Sequence, residues 1–123
     1  MLDRGRELDG GRAWEVSRGR ERIVVVFRGH VSEEDGHASA RAFLAALGES
    51  RAVELVFDVR DVQGYTGRAR QAWQGLLLPR RRQIRSLGVL SRSRLTRMGA
   101  SVFALMLGVD CRFYDEIPAE VSA

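Results

Sequence analysis

Apolar and polar residues alternate along Ala13-Trp14-Glu15-Val16, as in a strand with one buried face, and Arg22 and Arg28 enclose the β-branched and aromatic run Ile23-Val24-Val25-Val26-Phe27. Between them Ser17-Arg18-Gly19-Arg20 has nothing apolar to bury, so the pair is predicted to form an antiparallel hairpin. Ser32 then offers a hydroxyl to the free N–H groups of a helix start, and Glu33, Glu34 and Asp35 suit the positive end of its dipole. Ala40, Phe43, Leu44 and Leu47 follow at i, i+3, i+4 and i+7, an apolar helical stripe that Gly48 closes.

The run 52–59 (AVELVFDV) has the short, mostly apolar character of a strand buried on both faces, with Asp58 and Asp61 at its carboxyl end. A Gly64-Tyr65-Thr66-Gly67 turn opens the second helix, capped by Thr66 and carrying Ala69, Ala72, Trp73, Leu76 and Leu77 on one stripe, and Pro79 ends it. Residues 84–90 read as the next strand. Ser91 or Ser93 caps a third helix whose Leu95, Met98, Val102, Leu105 and Met106 are predicted to face inward until Gly108, and 111–114 read as a final strand. The order ββαβαβαβ predicts an α/β fold: one domain over 13–123 behind a flexible leader, 1–12, with a mixed sheet of about five strands, parallel at its centre, and three main helices.

The totals agree with one domain. A chain of 123 residues with 45% hydrophobic content can bury a sizeable core, and its one cysteine, Cys111, rules out an internal disulfide and reads as a buried structural thiol. The charged, Gly-rich start has no signal-type apolar region and no apolar run is long enough to span a bilayer, so the expected location is the cytoplasm. Net charge is +4, but all twenty positive side chains are Arg, and residues 62–109 hold nine of them with no acid.

Most chemistry is excluded by what is missing. With no Lys and no G-x-G-x-x-G after a strand, neither phosphate-binding loop is present, and a phosphorelay receiver would also need a Lys. His30 and His37, with one distant Cys, do not make a zinc set, and no G-x-S-x-G elbow presents a nucleophile. No catalytic residue, metal or cofactor is therefore expected. Asp58 and Asp61 are better read as turn caps than as an acid–base pair. The arginines of 79–85 (PRRRQIR) could meet an anionic partner or simply favour a helix C-terminus; nucleic acid is not expected, because Trp73 lies on the inward stripe and leaves no stacking platform.

Residues 23–114, above all AVELVFDVRDVQGYTGRARQAW (52–73) and RQIRSLGVL (82–90), resemble the STAS domain and its SpoIIAA-like group, itself grouped with CRAL-TRIO-type lipid-transfer domains. The segment 58–62, Asp-Val-Arg-Asp-Val, is similar to the one leaving the third strand in anti-anti-sigma factors. In that family a Ser or Thr directly before a Gly at the next helix start is phosphorylated by a partner kinase, and Thr66 before Gly67 stands in the matching place. The family's acidic-Ser-Ser pattern is here Gly64-Tyr65-Thr66. The resemblance implies a non-enzymatic regulatory module that binds a protein, a kinase or an anti-sigma-like regulator, through Asp61, Gly64, Tyr65, Gly67, Arg68 and Arg70. The CRAL-TRIO likeness implies an alternative: a lipid or other apolar, anionic ligand in a groove beside the second and third helices. Arg80, Arg81, Arg82 and Arg85, or 92–97, would then meet the headgroup. Leu78, Phe103 and Leu107 fall off the inward stripes and are expected to pack between helices or in a homodimer.

Overall fold

A computed structural model gives the architecture; it describes residues 2–8 and 11–118. Three helices, α1 (Glu33–Leu47), α2 (Gly67–Leu77) and α3 (Arg94–Leu107), lie against one mixed sheet. Its strands are β1 (Leu2–Arg4), β4 (Trp14–Arg18), β5 (Arg22–Val31), β6 (Val53–Tyr65), β7 (Ile84–Leu90) and β8 (Asp110–Phe113), side by side in that order. Two further short strands, β2 (Glu7–Leu8) and β3 (Gly11–Arg12), pair only with each other. The β4–β5 hairpin is antiparallel, and β5, β6, β7 and β8 run parallel. These are the five expected strands and three expected helices. The described part of 1–12, expected as a loose leader, adds an edge strand, because Leu2–Arg4 pair with β4 and the Arg6 guanidinium reaches the Asp35 carboxylate at 3.1 Å.

Side-chain alternation sorts the sheet into two faces. Ile23, Val25 and Phe27 of β5, Val53, Leu55 and Phe57 of β6, and Leu87 and Val89 of β7 point toward the helices and make the core with Phe43, Leu47, Trp73 and Leu77. Each large side chain so buried contributes about 1.5–3 kcal/mol. The opposite parity places Arg22, Glu54, Ser86 and Gly88 on the other face, where Tyr114 lies across Gly88 so closely that a Cβ there would stand 2.6 Å from its ring. β6 runs to Tyr65, beyond its expected end at 59, because 61–65 pair in parallel with Arg28, Gly29, His30 and Val31 past two register shifts.

The helix caps follow their sequence signals. Ser32 and Asp35 form a reciprocal capping box, Thr66 accepts from the Ala69 N–H, and Ser93 accepts from the Thr96 N–H. The face of α3 does not follow its expectation. Leu95, Met98, Val102, Leu105 and Met106 are exposed, whereas Phe103 and Leu107, placed off the inward stripe by sequence, are buried with Ala104. The helix carries two apolar stripes on opposite sides. Docking of Phe103 on Phe57, and anchoring of Arg97 on the Ser91 carbonyl and the Phe113 ring, select the second one.

Candidate functional site

A cavity of about 350 Å³ opens between α2 and α3, above the carboxyl ends of β6 and β7. It exists because the two inter-helix seams differ. α1 and α2 touch where Gly36 meets Ala69, so tightly that a Cβ on Gly36 would be 2.7 Å from the Ala69 Cα. α3 instead packs mainly on β7 and β8, which leaves the space beside α2 unfilled. That volume lies within the usual range of ligand pockets.

The floor is aromatic. Trp73 meets Phe57 edge-on at 4.9 Å between ring centroids, Phe27 stands 6.2 Å from Trp73, and Phe103 stands 6.4 Å from Phe57. The Trp73 indole N–H donates to the Ser39 hydroxyl at 3.0 Å, so the ring turns its apolar surface to the cavity with its one polar atom satisfied. Ala100, with no bulk to project, keeps the α3 side open.

The rim is cationic. Arg60, Arg70 and Arg92 lie around the opening, with Tyr65, Ser93 and Thr96 between them. Arg60 is committed: it donates to both Asp58 carboxylate oxygens, at 3.0 and 2.9 Å, and to the Asp115 carbonyl. The hydrogen bond to Asp58 raises its pKa further. Arg70 and Arg92 make no ion pair among the described residues and are exposed. An apolar chamber beneath two unpaired guanidinium groups has the chemistry to hold a molecule that is hydrophobic at one end and negatively charged at the other.

The residues marked out by sequence divide between two ends of the molecule. Asp61, Gly64, Tyr65, Thr66, Gly67, Arg68 and Arg70 are together on the rim side, at the end of β6 and the start of α2. Tyr65 is 47% exposed, and Arg68 lies 3.8 Å from Glu33 of α1. The Thr66 hydroxyl is engaged as helix cap, accepting from the Ala69 N–H at 3.1 Å. Arg80, Arg81, Arg82 and Arg85 sit at the opposite end, in the 3₁₀ turn Leu78–Gln83 and at the start of β7, away from the cavity mouth. Arg92 is the member of the 92–97 alternative that reaches it.

The other candidates stay apart. Asp58 accepts from the backbone N–H and guanidinium of Arg60, while Asp61 points to solvent. His37 pairs with Glu33 on α1, and His30 is exposed on β5. Among the described residues no three His, Cys, Asp or Glu side chains come close enough to hold a metal ion. Cys111 is half-buried, and burial pushes its thiol up.

Two features went unread in the sequence. The cavity floor uses Phe27, Phe57 and Phe103, which local periodicity cannot distinguish from ordinary core. The second is Glu54, a carboxylate inside an apolar strand and fully buried. Arg22 and Tyr114 donate to it at 2.7 Å each and Ser86 at 3.3 Å. Burial pushes the Glu54 carboxyl up, but the Tyr114 and Arg22 hydrogen bonds outweigh it and hold it below the usual range. A charged residue in the middle of AVELVFDV was the available signal.

No protein-family model matches the chain, nor does the sequence of any curated protein. Among solved structures it is similar to an uncharacterized protein of the DUF3478 family with a SpoIIAA-like fold from Shewanella loihica PV-4, at 14% identity and a TM-score of 0.68, over 85% of this chain and 86% of that one. It is also similar to the anti-sigma factor antagonist SpoIIAA in its unphosphorylated form, at 17% identity and a TM-score of 0.60, over 85% of this chain and 90% of that one. Likeness at such identities is likeness of fold: the chain has a SpoIIAA-like α/β fold. Among the described residues no helix is long and apolar enough to cross a membrane.

Proposed function

We infer that this SpoIIAA-like domain is a non-enzymatic binding module that takes an apolar, anionic small molecule, of the fatty-acid or alkyl-phosphate kind, into the cavity between α2 and α3. The observation that carries this reading is the aromatic chamber of about 350 Å³ under the unpaired Arg70 and Arg92. A hydrocarbon tail gains about 0.8 kcal/mol for each CH₂ buried against such a floor. The charged head stays at the rim, where the guanidinium groups and the Ser93 and Thr96 hydroxyls offer donors.

Thermal unfolding of delipidated protein with a medium-chain fatty acid, and with the alcohol of equal length, tests the reading. The acid is expected to raise Tm more than the alcohol, and Arg70→Gln/Arg92→Gln to remove that preference without lowering the free protein's Tm. Failure of both amphiphiles to stabilise the folded protein would sink it.

A protein partner at the same rim is the second reading, favoured by the half-exposed Tyr65 ring beside a helix N-terminus flanked by Arg68 and Arg70. A structural neighbour named as an anti-sigma factor antagonist supports a regulatory role of this kind. A phosphate on Thr66 would meet the free N–H groups of α2 and those two arginines, and so would change the face the partner reads. Intact mass of protein isolated from its native cells decides the switch: a phosphate-sized increment missing in Thr66→Ala supports it, and unmodified protein under all growth conditions removes it.

A further inference from the structure

The outer face of α3 is an apolar ridge. Leu95 and Leu105 are 79% exposed, Met98 65%, Val102 59% and Met106 55%. They fall within one side of a helix about 21 Å long, opposite Phe103, Ala104 and Leu107, which the core has taken. Five large apolar side chains in one stripe exceed the scattered singles normal for a surface. Leu78, also exposed, extends the apolar area toward the end of α2, whose Gln74 touches Met106.

Charge at both ends of the ridge narrows what can cover it. Arg92 and Arg94 stand at its amino end; Arg80, Arg81 and Arg82 follow α2 at the other. Residues 62–109, which include the ridge and both clusters, contain nine Arg and no acid. A second copy applied through this face would set one all-basic segment against another, which disfavours self-association. An anionic bilayer surface matches both parts of this face at once, acyl chains for the apolar stripe and phosphates for the flanking arginines.

We propose that α3 lies on an anionic lipid surface, with Leu95, Met98, Val102, Leu105 and Met106 inserted among the acyl chains and the flanking arginines on the phosphate headgroups. A basic-flanked, in-plane amphipathic helix binds a bilayer by these two terms, and each Arg near the surface strengthens partition about fivefold. Arg80, Arg81 and Arg82, which lie far from the cavity, acquire a role on this surface. The proposal does not depend on what the cavity holds.

Co-sedimentation of the full chain with vesicles of phosphatidylcholine alone, and of phosphatidylcholine mixed with phosphatidylglycerol, tests it. The protein is expected to pellet with the anionic vesicles, weakly or not at all with the neutral ones, and less at high salt. Arg80→Gln/Arg81→Gln/Arg82→Gln is expected to weaken binding by roughly a hundredfold, and Leu95→Ser/Leu105→Ser by more than about tenfold at every salt concentration. Both variants change exposed side chains, and a far-UV circular dichroism spectrum matching the parent's certifies their fold. Three results would each overturn the proposal: no pelleting with anionic vesicles, full binding by the leucine variant, or a solution dimer that Leu105→Ser dissociates.

Discussion

Glu54, the second residue of β6, has no exposure, and its carboxylate is held by donors from three other places in the chain: Arg22, Ser86 and Tyr114. The arrangement stabilises the fold only while the carboxylate is ionised. Its pKa is lowered from 4.5 in the folded state, so the folded protein favours the deprotonated form. That stability is fully present above 4.5 and drains away as pH falls through the lower folded value. Glu54→Gln keeps the shape but removes the buried negative charge that the Arg22 guanidinium meets at 2.7 Å. A loss of about 1.5–3 kcal/mol follows, as for a hydrogen bond to a charged group, with a Tm that depends less on pH below 4.5 than the parent's. Tyr114→Phe removes one donor and is expected to cost about 1–3 kcal/mol. If Glu54→Gln melts like the parent at neutral pH, the carboxylate does not stabilise the fold through its charge.

At the scale of elements, two glycines predict opposite signs for one substitution. Gly36 is where α1 rests on α2, and an added Cβ would meet the Ala69 backbone at 2.7 Å. Overpacking of about 1–3 kcal/mol then exceeds the helix-propensity gain of about 1 kcal/mol, so Gly36→Ala is expected to lower stability. Gly75 in α2 has nothing within 4 Å of that position, and Gly75→Ala should raise stability by about 0.5–1 kcal/mol. Chemical denaturation of both variants checks the pair, and equal effects would contradict the close α1–α2 seam.

The same contrast separates what the sequence could convey about the elements from what it could not. Ser32, Thr66 and Ser93 cap their helices through local hydrogen bonds, so their positions were readable. The strand 84–90 was readable because its apolar run, 87–90, is short and bounded by Ser86 and Ser91. The face of α3 was not, because its two apolar stripes have the same period, and the choice belongs to Phe57 and Phe113, distant in sequence. Extension of β6 to Tyr65 was hidden by Gly64, which reads as a turn but sits in a strand with His30 beside it. A groove beside α2 and α3 was expected from the resemblance alone, and its aromatic floor was hidden for the same reason: it is assembled from residues 27, 57, 73 and 103, each ordinary core by its own neighbours.

Across the whole molecule, charge is distributed against the fold's own stability. Residues 62–109 carry +9 of formal charge while the chain carries +4, and the acids lie before and after that segment. Few of these arginines are paired: Arg68 reaches Glu33 at 3.8 Å across an exposed surface, and Arg97 is spent on the Ser91 carbonyl and the Phe113 ring. Mutual repulsion among the rest destabilises the compact state, and salt screens it as the Debye length falls from about 30 Å at 0.01 M to about 8 Å at 0.15 M. The buried Arg22–Glu54 pair is screened far less. Tm is therefore expected to rise over that salt range, and Arg80→Gln/Arg81→Gln/Arg82→Gln to raise it at low salt and flatten its salt dependence. A Tm that falls with salt would mean that half-buried pairs such as Arg6–Asp35 and Arg28–Glu15 outweigh the repulsion, and that the basic half is not under electrostatic strain.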